Sequence, residues 1–180
     1  QWEHYTPALR WQWATLRGVS YAKLGLAGCL ERKDWPDRWR IAIEQMPRRA
    51  IPVAVVYADW EAAQAPRPAQ ILDLVEQTAC KSVLIDTYDK TQGSLLDHWH
   101  SNVLDKFVSR LRSNGRTVVL GGSLTLRQLP TVLQHRPDYV AVRGAVCDGA
   151  RIGRVQPAKI RHWATALAKA QMGQPTTRLP

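Results

Sequence analysis

The chain has 180 residues, 45% of them hydrophobic, which is enough for one domain with a buried core. No apolar run approaches the roughly 18 to 20 residues of a membrane-spanning helix and no charged-then-apolar leader occurs, so we expect neither membrane contact nor a signal peptide. The formal net charge of +10, from 25 basic and 15 acidic residues, suits nucleic acid, an anionic surface or phosphorylated metabolites, and does not choose among them.

Five short apolar runs, each ending in polar or glycine-bearing motifs, alternate with segments of helical period. The runs cover residues 19–28, 51–60, 82–90, 117–124 and 138–147, and helices are predicted at 68–80, 94–114, 125–135 and 156–171. This alternation is typical of βα units around a parallel sheet whose strands are buried on both faces. Periodicity ends after Ala170, so we assign residues 1–170 to one domain and 171–180 to a loose C-terminal tail.

The polar residues of these units lie at or just past the carboxyl ends of the predicted strands. That placement is typical of (βα)8 TIM barrels, in which several strands contribute groups to one mouth. A dinucleotide-binding open sheet would carry GxGxxG in its first βα turn, and none occurs here. A complete barrel needs about 200 residues or more. We therefore expect residues 1–170 to form an incomplete α/β barrel of about the last five βα units, with a catalytic role.

Lys23 lies in the segment YAKLG, flanked by apolar residues on the first predicted strand. Burial disfavours the charged form of a lysine, which is how lysines become bases or nucleophiles. A strand-end lysine that extends into solvent explains the same pattern equally well. Both interpretations stay open from this motif alone.

Asp86 and Lys90 occur in the segment IDTYDK, where an aspartate follows a buried strand. A carboxylate in that position needs a cation or a donor, and Lys90 can fold back from the loop to meet it. Such a pair suits proton transfer on a carbonyl substrate. Without further context, an aspartate near a lysine is more often a structural ion pair.

Glycine-rich turns follow the last two predicted strands, in LGGSL and VRGAVCDGARIGR. Successive glycines let backbone N–H groups converge on an anion, and the last two strands of a barrel are its usual phosphate site. The alternative is two ordinary turns with solvated arginines. Their position on consecutive strands favours a phosphate site formed by Gly121, Gly122, Ser123, Arg143, Gly144 and Arg151.

Other polar and aromatic residues receive structural interpretations. Asp59 fits either an active-site wall or the N-cap of the helix that follows it, and we expect the cap. Trp35 and Trp39, at helical spacing, are expected to cover the core or a subunit contact. His98 and His100 diverge on a helix, so we expect no metal, and we expect no cofactor.

Taken in order, the segments YAKLGLAG, VAVVYADW, LIDTYDKTQGSLLDH, LGGSL and PDYVAVRGAVCDGARIGRV resemble the (5-formylfuran-3-yl)methyl phosphate synthase family over about residues 19 to 160. This family is also called 4-(hydroxymethyl)-2-furancarboxaldehyde-phosphate synthase. The resemblance implies a (βα)8-barrel lyase that condenses two molecules of glyceraldehyde 3-phosphate into a furan aldehyde phosphate, releasing phosphate and water, for methanofuran-type one-carbon cofactors. It implies that Lys23 accepts a proton, that Asp86 and Lys90 line the site, and that the LGGSL and VRGA segments hold phosphate.

The sequence departs from the family pattern at one point. The family's Schiff-base lysine lies in an early-strand segment resembling D-V-K-x-P, and no such segment occurs here. We therefore expect the N-terminal part of the barrel to be absent from this sequence and the activity to belong to a parent protein. Neither Lys23 nor Lys90 is expected to replace that lysine.

Three alternatives remain from sequence: another class I aldolase-like phosphate-binding barrel, an inactive truncated paralogue, or a basic nucleic-acid-binding module. The last needs one continuous basic face, whereas the basic residues here are scattered and no RNA-binding aromatic motif occurs. We expect a phosphorylated small-molecule substrate, a homo-oligomer, and no nucleic acid. Cys29, Cys80 and Cys147 are an odd, widely spaced set, which predicts three reduced thiols in the cytoplasm.

Overall fold

The computed structural model of the chain describes residues 18–149 and 152–172. Five β-strands lie in these ranges, all parallel, in one sheet with the order β1-β2-β3-β4-β5. The strands are β1 Tyr21–Leu24, β2 Ile51–Tyr57, β3 Ser82–Asp86, β4 Thr117–Leu120 and β5 Tyr139–Val140. The predicted parallel α/β architecture is therefore confirmed.

Helices connect consecutive strands, so that each strand pairs with the next one along the chain. They are α1 Trp35–Glu44, α2 Pro68–Glu76, α3 Leu95–His98, α4 Ser101–Ser113 and α5 Leu129–Gln134, and a further helix, α6 Pro157–Met172, follows β5. Short 3-10 helices at Leu126–Gln128 and Gly144–Val146 complete the connections. No helix in the part of the chain that the structure describes is both long and apolar enough to cross a membrane.

Local sequence explains where these elements form. The β-branched run of β2 has four consecutive buried residues, as expected of a central strand covered on both sides. Pro68 begins α2, where its missing N–H has no intrahelical partner to lose, and Ile71 and Val75 form its buried side. Trp35 and Trp39 form the buried side of α1, which confirms the interpretation of these two residues as core.

The two faces of the sheet differ in what covers them. One face is packed under the helices in the main core cluster, and its strand residues are Leu24, Ala54, Val56, Val83, Ile85, Val118 and Leu120. We call it the helix-covered face. The other, the open face, has a small cluster of Val53, Val55 and Leu84, with Tyr57 and Val119 packed against it. Because side chains alternate along a strand, the residues between those of the first set belong to the second face.

The predicted helix at 94–114 is wrong as a single element. It is two helices, because Trp99 and His100 between α3 and α4 have extended backbone, and the buried indole N–H of Trp99 donates to the carbonyl of Ala58 at 3.1 Å. The predicted helix at 156–171 is observed one residue later, at Pro157–Met172, so the helix extends into the predicted tail; residues 173–180 lie outside the described residues.

Candidate active site

A cavity of about 510 Å³ lies at the carboxyl ends of the strands, on the open face of the sheet. Side chains or backbone from four strands and their following loops form its walls. The lining residues are Lys23, Leu84, Asp86, Lys90, Gly121, Gly122, Ser123, Leu124, Thr125, Ala141, Val142, Arg143, Gly144 and Ala145. All the residues singled out from sequence for catalysis or phosphate binding are in this set except Arg151, which lies outside the described residues.

Lys23 enters the cavity from β1. Its Cα pairs with that of Val53, so its side chain belongs to the open face, with the valines and Leu84, and not to the helix-covered face. The side chain is exposed to solvent. This combination fits both interpretations of Lys23, since the residue lines the cavity and is also exposed to solvent.

Asp86, at the end of β3, and Lys90, in the loop that follows, form an ion pair in the cavity wall. The Lys90 Nζ donates to Oδ1 of Asp86 at 2.7 Å, and the two side chains are only 25% and 17% exposed. The same ammonium donates to the carbonyl oxygen of Thr87 and to its Oγ1 at 3.2 Å. The N–H of Thr87 also donates to Asp86 Oδ1, at 2.9 Å. The prediction that Lys90 folds back onto Asp86 is confirmed, and the pair is half-buried inside the cavity.

The turn after β4 contacts the Asp86 loop directly. Gly122 has a φ of +88°, and a Cβ there would lie 3.0 Å from both the backbone N and the Cγ2 of Thr87. Only glycine accommodates this conformation and this approach together. Ser123 follows with a φ of +51°, which is uncommon for a residue with a side chain. The Gly122 carbonyl accepts the N–H of Leu95 at 2.9 Å, which connects the turn to the start of α3.

The start of α3 is fixed by its own cap. The N–H and hydroxyl of Ser94 donate to Oδ2 of Asp97 at 2.7 and 2.6 Å, and these donors hold the pKa of the Asp97 carboxyl below its usual value. Gln128 Nε2 donates to Ser94 Oγ at 2.7 Å. The loop after β3 and the loop after β4 are thereby joined beside the cavity.

The ionisable side chains that line the cavity are mainly cationic. Lys23, Lys90 and Arg143 carry positive charge and only Asp86 carries negative charge, and Lys90 and Asp86 neutralise each other. Arg143 and Gly144 lie just beyond β5, at the start of a 3-10 helix, and both are exposed. A cavity with excess positive charge and a glycine turn can attract and hold an anion.

Asp59 does not have the role that the sequence indicated. It is not an N-cap, because the next helix begins at Pro68 after Arg67, and its carboxylate accepts the N–H groups of Tyr88 and Asp89 from the next loop, at 2.7 and 2.8 Å. Sequence reasoning also missed Leu84, Thr125 and Ala141 as parts of the cavity wall. Their alternation on the open face was the available signal for Leu84 and Ala141.

Two other observations concern metal and alternative cavities. Within residues 18–149 and 152–172, no group of three or more His, Cys, Asp or Glu residues could hold a metal ion. A cavity of about 590 Å³ lies between α1 and α2, with Arg32, Lys33 and Asp73 on its walls. It lies on the helix side of the sheet, and its lining residues come from the two helices, the loop before α1 and the residue that follows α2, with none from a strand.

A parallel sheet with a cationic cavity at the carboxyl ends of its strands defines an α/β protein with the architecture of a small-molecule site. The profile of a known family, described as 4-HFC-P synthase, matches residues 4–164 of the chain. The chain belongs to this family, and the resemblance seen in the sequence is confirmed.

Individual proteins that are similar to this chain bear names that agree with this family. The (5-formylfuran-3-yl)methyl phosphate synthase of Methanococcus maripaludis is 31% identical over 148 residues, which cover 79% of this chain and 63% of the relative. The protein of the same name from Methanobrevibacter smithii is 31% identical over 162 residues, covering 87% of this chain and 66% of the relative. The chain therefore spans about three-fifths of the length of the curated relatives it matches.

Among solved structures, phosphoribosyl anthranilate isomerase from Thermus thermophilus is similar with a TM-score of 0.40 and 16% sequence identity, over 94% of both chains. A likeness this weak carries no conclusion about fold or function.

Proposed function

We propose that this chain is the larger part of a (5-formylfuran-3-yl)methyl phosphate synthase, a lyase that condenses two molecules of glyceraldehyde 3-phosphate into a furan aldehyde phosphate. The single observation that carries the proposal is that Lys23, the Asp86–Lys90 pair and the Gly121–Gly122 turn line one cavity. Family membership supports it further, because relatives over most of this chain bear that name. The product would serve methanofuran-type one-carbon cofactor synthesis.

We also propose that the sheet is part of a (βα)8 barrel, with residues 1–170 forming about its last five βα units. The strand order is sequential, without the reversal that marks a doubly wound sheet, and the main helix-packed core lies on one face. Five units of eight also agree with the share of the relatives' length that the chain spans.

Strand stagger supports the barrel as well. Lys23 pairs with Val53 and Val53 pairs with Ser82, so Lys23 and Ser82 are in register across the sheet. Lys23 nevertheless lines the cavity together with Leu84, which lies two residues beyond Ser82 on β3. In the same way, Leu84 pairs with Val119 and Val119 pairs with Tyr139, so Leu84 and Tyr139 are in register. The cavity wall, however, contains Ala141, two residues beyond Tyr139. A shift of about one residue per strand is the stagger of a barrel of eight strands and shear eight, in which alternate strands contribute to one layer.

The proposed chemistry divides the cavity into two parts. The neutral form of the Lys23 amine would accept a proton from the carbon next to the substrate carbonyl. Asp86 and Lys90 are held together at 2.7 Å; Lys90 would donate to the carbonyl oxygen, and Asp86 would accept from a substrate hydroxyl. The phosphate would bind to Gly121, Gly122 and Ser123 after β4 and to Arg143 and Gly144 after β5. Arg151, which lies outside the described residues, is proposed as a further phosphate ligand. We assign the role of the family's imine-forming lysine to no residue of this chain.

The buried cysteines and the exposed tyrosines bear on the compartment and the partners of the protein. All three cysteines are buried thiols, which supports a reducing compartment such as the cytoplasm. Tyr21 and Tyr139, on the open face, are 55% and 58% exposed, which supports contact with further protein, either additional strands or a second copy in a homo-oligomer. We propose no nucleic-acid partner and no cofactor.

The test is an assay of the protein, in the form that its gene encodes, with glyceraldehyde 3-phosphate. The expected result is a product absorbing in the near ultraviolet together with release of inorganic phosphate. A product that retains both phosphates and does not absorb there would replace the proposal with the class I aldolase alternative. Absence of any turnover, with correct folding established by circular dichroism, would contradict both enzymatic proposals.

A further inference from the structure

Asp59 is a buried carboxylate outside the cavity, and both of its oxygens are used. It is 8% exposed and lies on the loop after β2. Oδ1 accepts the N–H of Tyr88 at 2.7 Å and Oδ2 accepts the N–H of Asp89 at 2.8 Å. One side chain therefore holds two consecutive amides of the neighbouring loop, which is a geometry that restrains the path of the backbone.

Those two amides lie between Asp86 and Lys90. The residues from 87 to 90 are not helical, so the ion pair does not arise from helix periodicity. Lys90 meets Asp86 only because the loop turns back on itself. The shape of that turn therefore sets the distance between the two charged groups.

The loop is held on its other side by the turn after β4. A Cβ on Gly122 would come within 3.0 Å of the backbone N of Thr87, so the two segments are in close contact. Further along the loop, the hydroxyl and the N–H of Thr91 donate to Oδ1 of Asp89 at 2.7 and 2.9 Å. Asp59 holds the backbone in the middle of the loop from the β2 side.

Asp59 is itself firmly placed. The N–H of the preceding residue, Ala58, donates to the carbonyl of Asp86 at 2.8 Å, and the carbonyl of Ala58 accepts the indole N–H of Trp99 at 3.1 Å. The rings of Tyr57 and Tyr88 pack edge to face at 5.7 Å. The loop is therefore attached to the end of β2 by backbone, ring and carboxylate contacts.

We propose that Asp59 is a positioning residue for the Asp86–Lys90 pair: its carboxylate fixes the loop so that the Lys90 amine stays on Asp86 in the cavity. Its consequence for turnover rests on the proposed function, whereas its effect on Lys90 does not. The side chain of Asp59 does not line the cavity and so touches no substrate there.

The first test measures the reactivity of the Lys90 amine in Asp59→Asn. Asparagine has one acceptor oxygen, so one of the two amides loses its partner and the loop relaxes. Trinitrobenzenesulfonate labelling at fixed pH, read by peptide mass spectrometry, should give a Lys90 rate about threefold to tenfold above that of the wild type, since about 1 kcal/mol is lost with a hydrogen bond. The rate at Lys23, which lies on β1, should stay within about twofold.

Glu61→Gln is the matched control, because Glu61 is an exposed carboxylate two residues further along the same loop. It should leave the Lys90 rate unchanged. Asp59→Glu keeps both acceptor oxygens and should restore part of the protection of Lys90, provided that its thermal midpoint shows a folded protein. Equal Lys90 labelling in Asp59→Asn and Glu61→Gln would overturn the inference whatever the activity.

The kinetic test separates the inference from the proposed function. With glyceraldehyde 3-phosphate, Asp59→Asn should lower kcat about tenfold and change KM less than about twofold, because the reacting groups shift while the phosphate turn remains. A wild type that forms no furan product would overturn the proposed function and leave the labelling result valid. A change confined to KM would show that Asp59 acts on binding and would contradict its positioning role.

Discussion

Side chains alternate between the two faces of the sheet along each strand, and the two faces carry different residue types at the carboxyl end. On β3, Val83 and Ile85 are buried under helices, and both belong to the main core. On the open face of the same strand, Ser82 is followed by Leu84 and then by Asp86, which lines the cavity. The helix-covered face is apolar along the whole strand, whereas the open face ends in a charged residue at the carboxyl end. The main core and the cavity thus lie on different faces of one strand.

The largest effect is expected from a change at the charged end of the open face. Asp86→Asn keeps the shape and removes the charge that Lys90 meets at 2.7 Å. We expect the rate of furan formation to fall about 10²- to 10⁴-fold, the range of a lost acid–base group. Asp34→Asn, which removes an exposed carboxylate paired with Arg38 at 2.5 Å, should change the rate less than about twofold. Equal losses of rate in the two variants would contradict a role for Asp86 in the reaction.

The second prediction compares adjacent residues of β3. Ile85→Ala on the helix-covered face, where Ile85 is fully buried, should lower the free energy of unfolding by about 2–5 kcal/mol. Leu84→Ala, on the small cluster beside the cavity, should lower it by about 1–3 kcal/mol, because its surroundings include open space and can adjust. Urea denaturation of both variants measures the difference. A greater loss for Leu84→Ala would show that the open face is the better-packed one.

The third prediction concerns the contact between the glycine turn and the Asp86 loop. Gly122→Ala combines a positive φ with a Cβ 3.0 Å from a backbone atom, and it should destabilise the fold by about 2–4 kcal/mol. Gly28→Ala has a φ of +77° and no atom within 4 Å, so it should lose only the conformational part, about 1–2 kcal/mol. The difference between the two variants in thermal unfolding measures the cost of the close approach of the Gly122 Cβ to Thr87. If both lose the same amount, the loops are not in contact in solution.

The smallest effect is expected at the cap of α3. The Ser94 donors hold the pKa of the Asp97 carboxyl below its usual value, so this carboxylate favours the folded state above its unfolded pKa of about 4. That contribution is lost as the pH falls through the lower pKa of the folded state. The thermal midpoint of the wild type should therefore fall more steeply below about pH 4 than that of Asp97→Asn. Parallel pH profiles would show that the cap does not form in solution.

The sequence could predict the strands because apolar runs are local signals, and the runs of β2 and β4 are rich in β-branched residues. It predicted the catalytic candidates from their position at or just past the ends of the predicted strands, and the cavity contains Lys23, Asp86 and Lys90. It could not predict the break between α3 and α4, which depends on a hydrogen bond from Trp99 to Ala58, 41 residues away in sequence. α1 was missed as a helix although Trp35 and Trp39 have helical spacing, since charged residues surround them.

Asp59 illustrates the same limit within the site. An aspartate after a strand and before a helix is a common N-cap pattern, so local reasoning assigned it to the helix. Its actual partners, the amides of Tyr88 and Asp89, are 29 and 30 residues away, and they approach only when β2 and β3 pair. The loop after one strand is thus shaped by the loop after its neighbour, which no single segment encodes.

A titration of the isotope-labelled protein with inorganic phosphate, followed by the backbone amide signals in NMR, tests most directly whether the charged end of the open face binds a phosphorylated molecule. We expect the signals of Gly122, Ser123 and Gly144 to shift together with one dissociation constant, while those of α1, on the other face, stay in place. Shifts centred on α1 and α2, or none at the glycine turns, would contradict the assignment of the cavity as the phosphate-binding active site.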